Sequence, residues 1–196
     1  MSRTAVALIR HAPTGWNEGK RLQGQSDQPL SAAGRAAAAG WRVPQEFAGY
    51  DWHVSPLSRA AETARLLGLA CTTEPDIIEM HWGAWEGHTL QELEAKYGRE
   101  AVKSRTQLGL DFRPHDGESP RDVRNRIAAW LKRCGERGIP VGAVTHQGVI
   151  RAALSLATGW TMIGQPPVEM DWASVHVFAV DESGRVEIDR LNISLL

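Results

Sequence analysis

Apolar and polar positions along this chain fall into two alternating patterns. Short apolar runs closed by turn residues occur at Ala5–Ile9, Trp52–Val54 and Val141–Thr145, and Cys71–Glu74 is extended in character. Runs of this length predict buried strands. Between them lie segments with helical spacing. Ser31 is placed to cap an alanine-rich helix reaching about Trp41, and Arg59–Leu67 follows the second strand. Thr89 to about Tyr97 reads as a polar surface helix. Ser119-Pro120-Arg121-Asp122 opens a helix that runs to Cys134, with a Ser cap, Pro in the first turn and an acid three residues after the cap. Gln147-Gly148 opens another, to about Ala157. Ser174–Val180 and Val186–Asp189 form a closing hairpin around Asp181–Gly184. Ala12–Pro29 and Leu108–Gly117 read as loops. Strands alternating with helices predict βαβ units, hence an α/β fold on a parallel sheet. Neither repeats nor a linker divides the 196 residues, so one domain spanning residues 1–196 is expected.

The bulk numbers narrow the class. Hydrophobic residues at 42% and charged residues at 23% suit a globular enzyme-sized core. A net charge of -1 argues against a nucleic-acid binder, since those carry a basic excess. The basic residues are mostly arginines, which leaves many rigid charged forks for anion binding. Cys71 and Cys134 form neither a disulfide framework nor a zinc spacing and read as small core residues. Neither a signal peptide nor a membrane-length apolar stretch is visible, so a cytoplasmic protein with no membrane partner is expected.

Candidate chemistry sits at strand ends. Arg10-His11 closes the first apolar run and His146 closes Val141–Thr145. In a parallel sheet both emerge at the carboxyl edge, where open α/β sheets hold their ligands. A neutral imidazole is a competent phosphorus nucleophile, and a guanidinium grips phosphoryl oxygens with its planar fork. Thr14 and Asn17 add short hydrogen-bonding side chains nearby. Arg59 falls in the first turn of a helix capped by Ser58 or a neighbour, where backbone N–H groups and the dipole already favour an anion. Gly148 permits a tight turn after His146, so that the Gln147 and Gly148 N–H groups can face the same anion. Arg65 reads as a surface ion pair and Arg151 as structural. A phosphate ester also needs its leaving oxygen protonated. Glu79 and Glu86, beside Trp82 and Trp85, compete for that role, and spacing does not choose between them.

Taken together and in order, these segments resemble the histidine phosphatase superfamily, or phosphoglycerate mutase-like family. The matching motifs are Arg10-His11-Ala12, Gly24 to Ser31, Ser55 to Ala64, Glu79 to Gly87, Gly117-Glu118-Ser119 and Thr145-His146-Gln147-Gly148. The resemblance implies a three-layer α/β/α sandwich with a mainly parallel central sheet. It implies His11 as the nucleophile that becomes phosphohistidine, Arg10, Arg59 and His146 as phosphoryl ligands, and Glu79 as the proton donor. Thr14, Asn17, Gly24 and Gln147 would line the substrate site. It implies no metal and no cofactor. Two positions leave the family pattern: Ala12-Pro13 stands where a Gly is usual, and Gln147 replaces a Gly.

The implied reaction is hydrolysis of a small phosphorylated metabolite, by a monomer or a homodimer. Glu79-Met80-His81-Trp82-Gly83 followed by Ala84-Trp85-Glu86-Gly87 resembles the phosphatase branch rather than the mutases, which are longer and carry a basic insertion. Within that branch, α-ribazole-5′-phosphate phosphatases share the Trp85-Glu86 context. The alternatives are a cofactor-dependent phosphoglycerate mutase and a weakly catalytic phospho-ligand binder. Ala12 and the exposed-tryptophan candidates Trp160 and Trp172 motivate the last.

Overall fold

The computed structural model describes residues 3–196. Alternating burial builds its centre. In β1 (Arg3–Arg10), Val6 and Leu8 enter one core while Ala7 and Ile9 enter another on the opposite face, as the two-residue period of a strand requires. The same division splits β4 (Val141–Thr145), whose five residues are all buried, and β5 (Ser174–Asp181). A strand covered on both faces reads as a continuous apolar run, which is why these segments were visible in the sequence.

Six strands form one sheet among the described residues, in the order β3-β2-β4-β1-β5-β6. Here β2 is Asp51–Val54, β3 is Thr72–Thr73 and β6 is Val186–Ser194. β1 to β4 are mutually parallel, β5 is antiparallel to β1, and β6 is antiparallel to β5. Only β5 therefore runs against the common direction.

Helices cover both faces. α2 (Ala32–Gly40) and α3 (Ser58–Leu66) pack over one core with Trp41, Phe47 and Trp52. α6 (Pro120–Arg137) and α7 (Gln147–Thr158) pack over the other with Trp85, Trp130 and Phe178. The predicted caps are present: Ser31 accepts from Gly34, and Ser119 forms a capping box with Asp122. α6 stops three residues beyond Cys134, at the left-handed Gly138.

Three readings need correction. α3 is capped by neither Ser58 nor a neighbouring side chain. Its N-cap is Leu57, and Asp27 reaches across to accept from the Ser58 amide and hydroxyl at 2.9–3.0 Å. The stretch after α4 (Leu90–Tyr97) carries a further helix, α5 (Arg99–Thr106), and a 3-10 turn at Gly109–Asp111 inside the predicted loop. α5 is polar with only Val102 buried, so it had no apolar stripe to read. β6 continues five residues past Asp189, because the alternation of Val186 and Ile188 breaks phase at Asp189-Arg190, where its pairing with β5 shifts register, before Leu191 and Ile193 resume it.

The Ala12–Pro29 loop contains a one-turn helix, α1 (Gly15–Glu18), capped by Thr14. α2 lies directly on this loop. Ser31 N donates to the Pro13 carbonyl at 3.0 Å, and a Cβ at Gly34 would run into that same carbonyl. Gly34→Ala gains about 1 kcal/mol of helix propensity but forces α2 off rigid backbone, an overpacking cost of about 1–3 kcal/mol. We expect a lower urea midpoint for the variant; a raised midpoint would mean the contact is slack.

Candidate active site

β1 and β4 end together. Arg10 is in register with Thr145, and the His11 amide donates to the Thr145 carbonyl at 2.8 Å. The next residue of each strand is therefore a histidine, and the two rings stand 5.1 Å apart. Chain connections leave these strands in opposite directions, β1 toward β2 through α2 and β4 toward β5 through α7. That is the switch-point crevice expected of an open α/β sheet.

His11 is 5% exposed. Its Nδ1 lies 2.7 Å from the Ala12 carbonyl, which can only accept. Nδ1 therefore carries the hydrogen, and Nε2 keeps its lone pair. Burial first, then the charges of Arg10 and Arg59, hold the ring well below the ordinary histidine pKa. Ala12 is itself fully buried, and its amide donates to Thr63 Oγ1, which donates to the Arg59 carbonyl. The departure at Ala12 is thus accommodated in packed backbone on α3.

His146 is fully buried, and its Nε2 shares a 2.6 Å hydrogen bond with Ser55 Oγ. Burial and the neighbouring His11, Arg59 and Arg10 depress its pKa as well. Arg59 is fully buried too. It donates to the Gly24 carbonyl at 2.6 Å and the Ser26 carbonyl at 3.3 Å, leaving Nε without a partner. Burial lowers its pKa, while Glu79, Asp27 and Glu86 raise it.

The structure separates the two competing carboxylates. Glu86 accepts from the amides of Gln25, Ser26 and Trp82 at 2.8–3.0 Å. Burial opposes its ionisation, yet these donors hold its pKa below the ordinary value. It is a fixed anion that shapes the 24–27 loop, whose carbonyls in turn hold Arg59. Gly24 is needed there because a Cβ would strike Glu86 and the Met80 carbonyl. Glu79 is 6% exposed, and burial pushes its pKa up against the pull of the Met80 and Gly148 amides and of Arg59 and Arg10. Such a carboxyl suits proton donation. Gly148 lets it approach: a Cβ at that position would collide with the Glu79 carboxylate.

A cavity of about 300 Å³ opens over these groups, lined by Arg10, His11, Asn17, Glu79, Gln147 and Arg151 among others. Thr14 and Gly24 do not reach its wall. The Thr14 hydroxyl is fully buried and bonds Gln23 and Asn17, so it builds the loop behind the cavity. Arg59 and His146 form the layer beneath His11. Arg151, read from the sequence as structural, faces the cavity. It lies one turn after Gln147, the i, i+4 spacing that places two residues on one helix face, and that spacing was the available signal. Arg65 pairs with Glu62 at the surface. Trp160 and Trp172 are half-buried against the core rather than exposed, and the Arg10 guanidinium lies 5.3 Å from the Trp172 ring centre. Cys134 is buried and Cys71 half-buried. His81 and His88 contact Glu86 and Glu92. Among the described residues, no group of three or more His, Cys, Asp or Glu side chains stands together as a metal site, and no helix is long and apolar enough to cross a membrane.

One feature unites these groups. Arg10 Nε, Arg59 Nε, Arg151 Nε and His146 Nδ1 are buried and have no hydrogen-bond partner in the protein. Buried polar atoms are normally paired. Three guanidinium nitrogens and an imidazole nitrogen left unpaired near one neutral histidine are free to bind an anion; Gln23 Nε2, Arg124 Nε, Ser174 Oγ and His176 Nε2 are unpaired as well.

The chain is similar to known proteins in both sequence and fold. The family model of the histidine phosphatase superfamily (branch 1) matches residues 6–194. Phosphoglycerate mutase-like protein 4 of Arabidopsis thaliana is 34% identical over 75% of this chain and 68% of its own length. A Yersinia enterocolitica protein named "Probable phosphoglycerate mutase GpmB" is 32% identical over 83% of this chain and 76% of its own. The mycobacterial glucosyl-3-phosphoglycerate phosphatase solved with VO3 superimposes with a TM-score of 0.78 at 28% identity, covering 97% of this chain and all of that one.

The buried histidines carry a stability consequence. His11 and His146 are held well below the ordinary pKa of 6.5, and burial lowers His176 to about 4. Below pH 6.5 the unfolded chain binds protons that the folded chain refuses, so stability falls as pH drops. Each group costs up to about 1.4 kcal/mol per pH unit there. Thermal melts should show Tm declining from about pH 6.5 downward; a level Tm through weakly acidic pH would contradict a neutral histidine pair.

Proposed function

Because the chain belongs to branch 1 of the histidine phosphatase superfamily, we propose that it is a phosphomonoesterase working through a phosphohistidine on His11. The family supports a phosphatase- or mutase-type reaction, and the observation that favours this one is the unpaired donor set around a neutral imidazole. His11 Nε2 attacks phosphorus, and the bond from phosphorus to the ester oxygen breaks. Arg10, Arg59, Arg151 and His146 bind the phosphoryl oxygens as charge spreads over them. Glu79 gives its proton to the leaving alcohol. It then takes a proton from the water that attacks phosphohistidine, which frees inorganic phosphate and restores both groups. Asn17 and Gln147, on the cavity wall, contact the substrate. Thr14 and Gly24 act at one remove, through the loop that holds Arg59 and Asn17.

A mutase is the second reading, favoured by the names of the relatives. It requires transfer from His11 to another hydroxyl instead of water. Interconversion of 2- and 3-phosphoglycerate that depends on 2,3-bisphosphoglycerate and outpaces phosphate release would establish it.

The chemistry is checked with p-nitrophenyl phosphate in EDTA. We expect the wild type to hydrolyse it and His11→Ala to lose at least about three orders of magnitude in kcat. Unchanged turnover in that variant rejects the nucleophile. Glu79→Gln should slow alkyl phosphates about 10²–10⁴-fold and the p-nitrophenyl ester far less, since nitrophenolate leaves without a proton. Equal losses on both esters would move the acid elsewhere.

A further inference from the structure

The phosphoryl cavity continues into a second one of about 390 Å³. The two share Met80, Trp82, Gly148 and Arg151, and the Gly148 amide donates to Glu79 at 3.2 Å, so the shared wall lies beside the group that protonates the departing ester oxygen. Beyond Arg151 the surroundings change. Phe112, Val123, Trp160 and Met162 dominate, with Gln165 and Thr106 as the polar side chains and no second cation. Resting on the phosphatase reading, we propose that this cavity takes the alcohol portion of the substrate and that this portion is apolar, an alkyl or aryl group without a second anion.

The cavity is a built feature. Trp82, Trp85 and Phe112 pack as an aromatic cluster with ring centres 4.8–6.5 Å apart. The opposite wall is pinned at several points. Ser155 Oγ donates to the Trp160 carbonyl at 2.6 Å, Trp160 Nε1 to the Ile163 carbonyl at 3.2 Å, and Leu110 N to the Thr161 carbonyl at 2.9 Å. Gly109 allows this last approach, since a Cβ would meet the Thr161 carbonyl. Met162 is held at φ 62, a left-handed conformation uncommon for a side chain of its kind. Strain of this sort persists where surrounding structure imposes it, and it clusters at ligand sites.

Charge decides the class. A carboxylate or second phosphate entering these walls would lose its hydration with one cation within reach, and Arg151 is already shared with the phosphoryl group and Glu79. An apolar group gains by the area it removes from water. The ligand chemistry implied is a monophosphate ester of a hydrophobic alcohol.

The test is a ladder of n-alkyl phosphates from ethyl to hexyl, with 3-phosphoglycerate and p-nitrophenyl phosphate alongside, assayed on the full chain. Leaving-group basicity is nearly constant along the alkyl series, so any trend reports the cavity. We expect kcat/KM to rise by up to about fourfold per methylene, mainly through KM, and hexyl phosphate to exceed 3-phosphoglycerate. Trp160→Ala should reduce that slope. A flat or falling ladder, or a preference for 3-phosphoglycerate, overturns the proposal while p-nitrophenyl phosphate hydrolysis keeps the phosphatase reading intact. Hydrolysis of none of these esters by folded protein overturns both.

Discussion

Everything chemical in this protein depends on two parallel strands ending side by side. The pairing of β1 with β4 sets Arg10 opposite Thr145, and one hydrogen bond from the His11 amide closes the ladder. A one-residue slip would turn each histidine to the other face of the sheet. Both strands are wholly or largely buried, so their register is fixed by core packing on two sides. The geometry of the histidine pair thus comes from the most rigid part of the fold. Loops are asked only to deliver the remaining charges.

Those charges arrive through a chain of dependencies. Glu86 gathers three amides and shapes the 24–27 loop. The carbonyls of that loop hold Arg59. Asp27 secures the start of α3, which carries Arg59 and the Thr63 hydroxyl that grips the Ala12 amide. The loop after His11 and the helix bearing Arg59 are therefore one hydrogen-bonded unit. Pro13, the other half of the departure from the family pattern, is where α2 rests on this unit.

Much of this was legible because strand ends are legible. Fully buried runs stand out, and whatever follows them is a candidate. The misses have physical causes. α5 buries only Val102, too little to leave a periodic trace, and the alternation of β6 is broken by a register shift at Asp189-Arg190. Glu79 and Glu86 have the same side chain in the same neighbourhood, and they differ in how deeply each is buried and how many amides each accepts, which spacing does not encode. Thr14 and Gly24 belong to the right loop, but Thr14 bonds within it and Gly24 offers its carbonyl to Arg59, so neither reaches the cavity. Arg151 was one helical turn from a recognised residue and was passed over because a single arginine in a helix has an ordinary structural explanation.

The unpaired donors also bear on what happens after chemistry. Three guanidinium groups with buried, unpaired Nε atoms beside one carboxyl are electrostatically unbalanced, and a phosphate dianion restores the balance. Inorganic phosphate satisfies the same donors as the ester it came from. Under the proposed reaction, the forces that draw substrate in also retain the product, since both present phosphoryl oxygens to the same donors. On that reading phosphate release is the step that would limit turnover, and the neighbouring apolar cavity becomes a matter of how phosphate leaves.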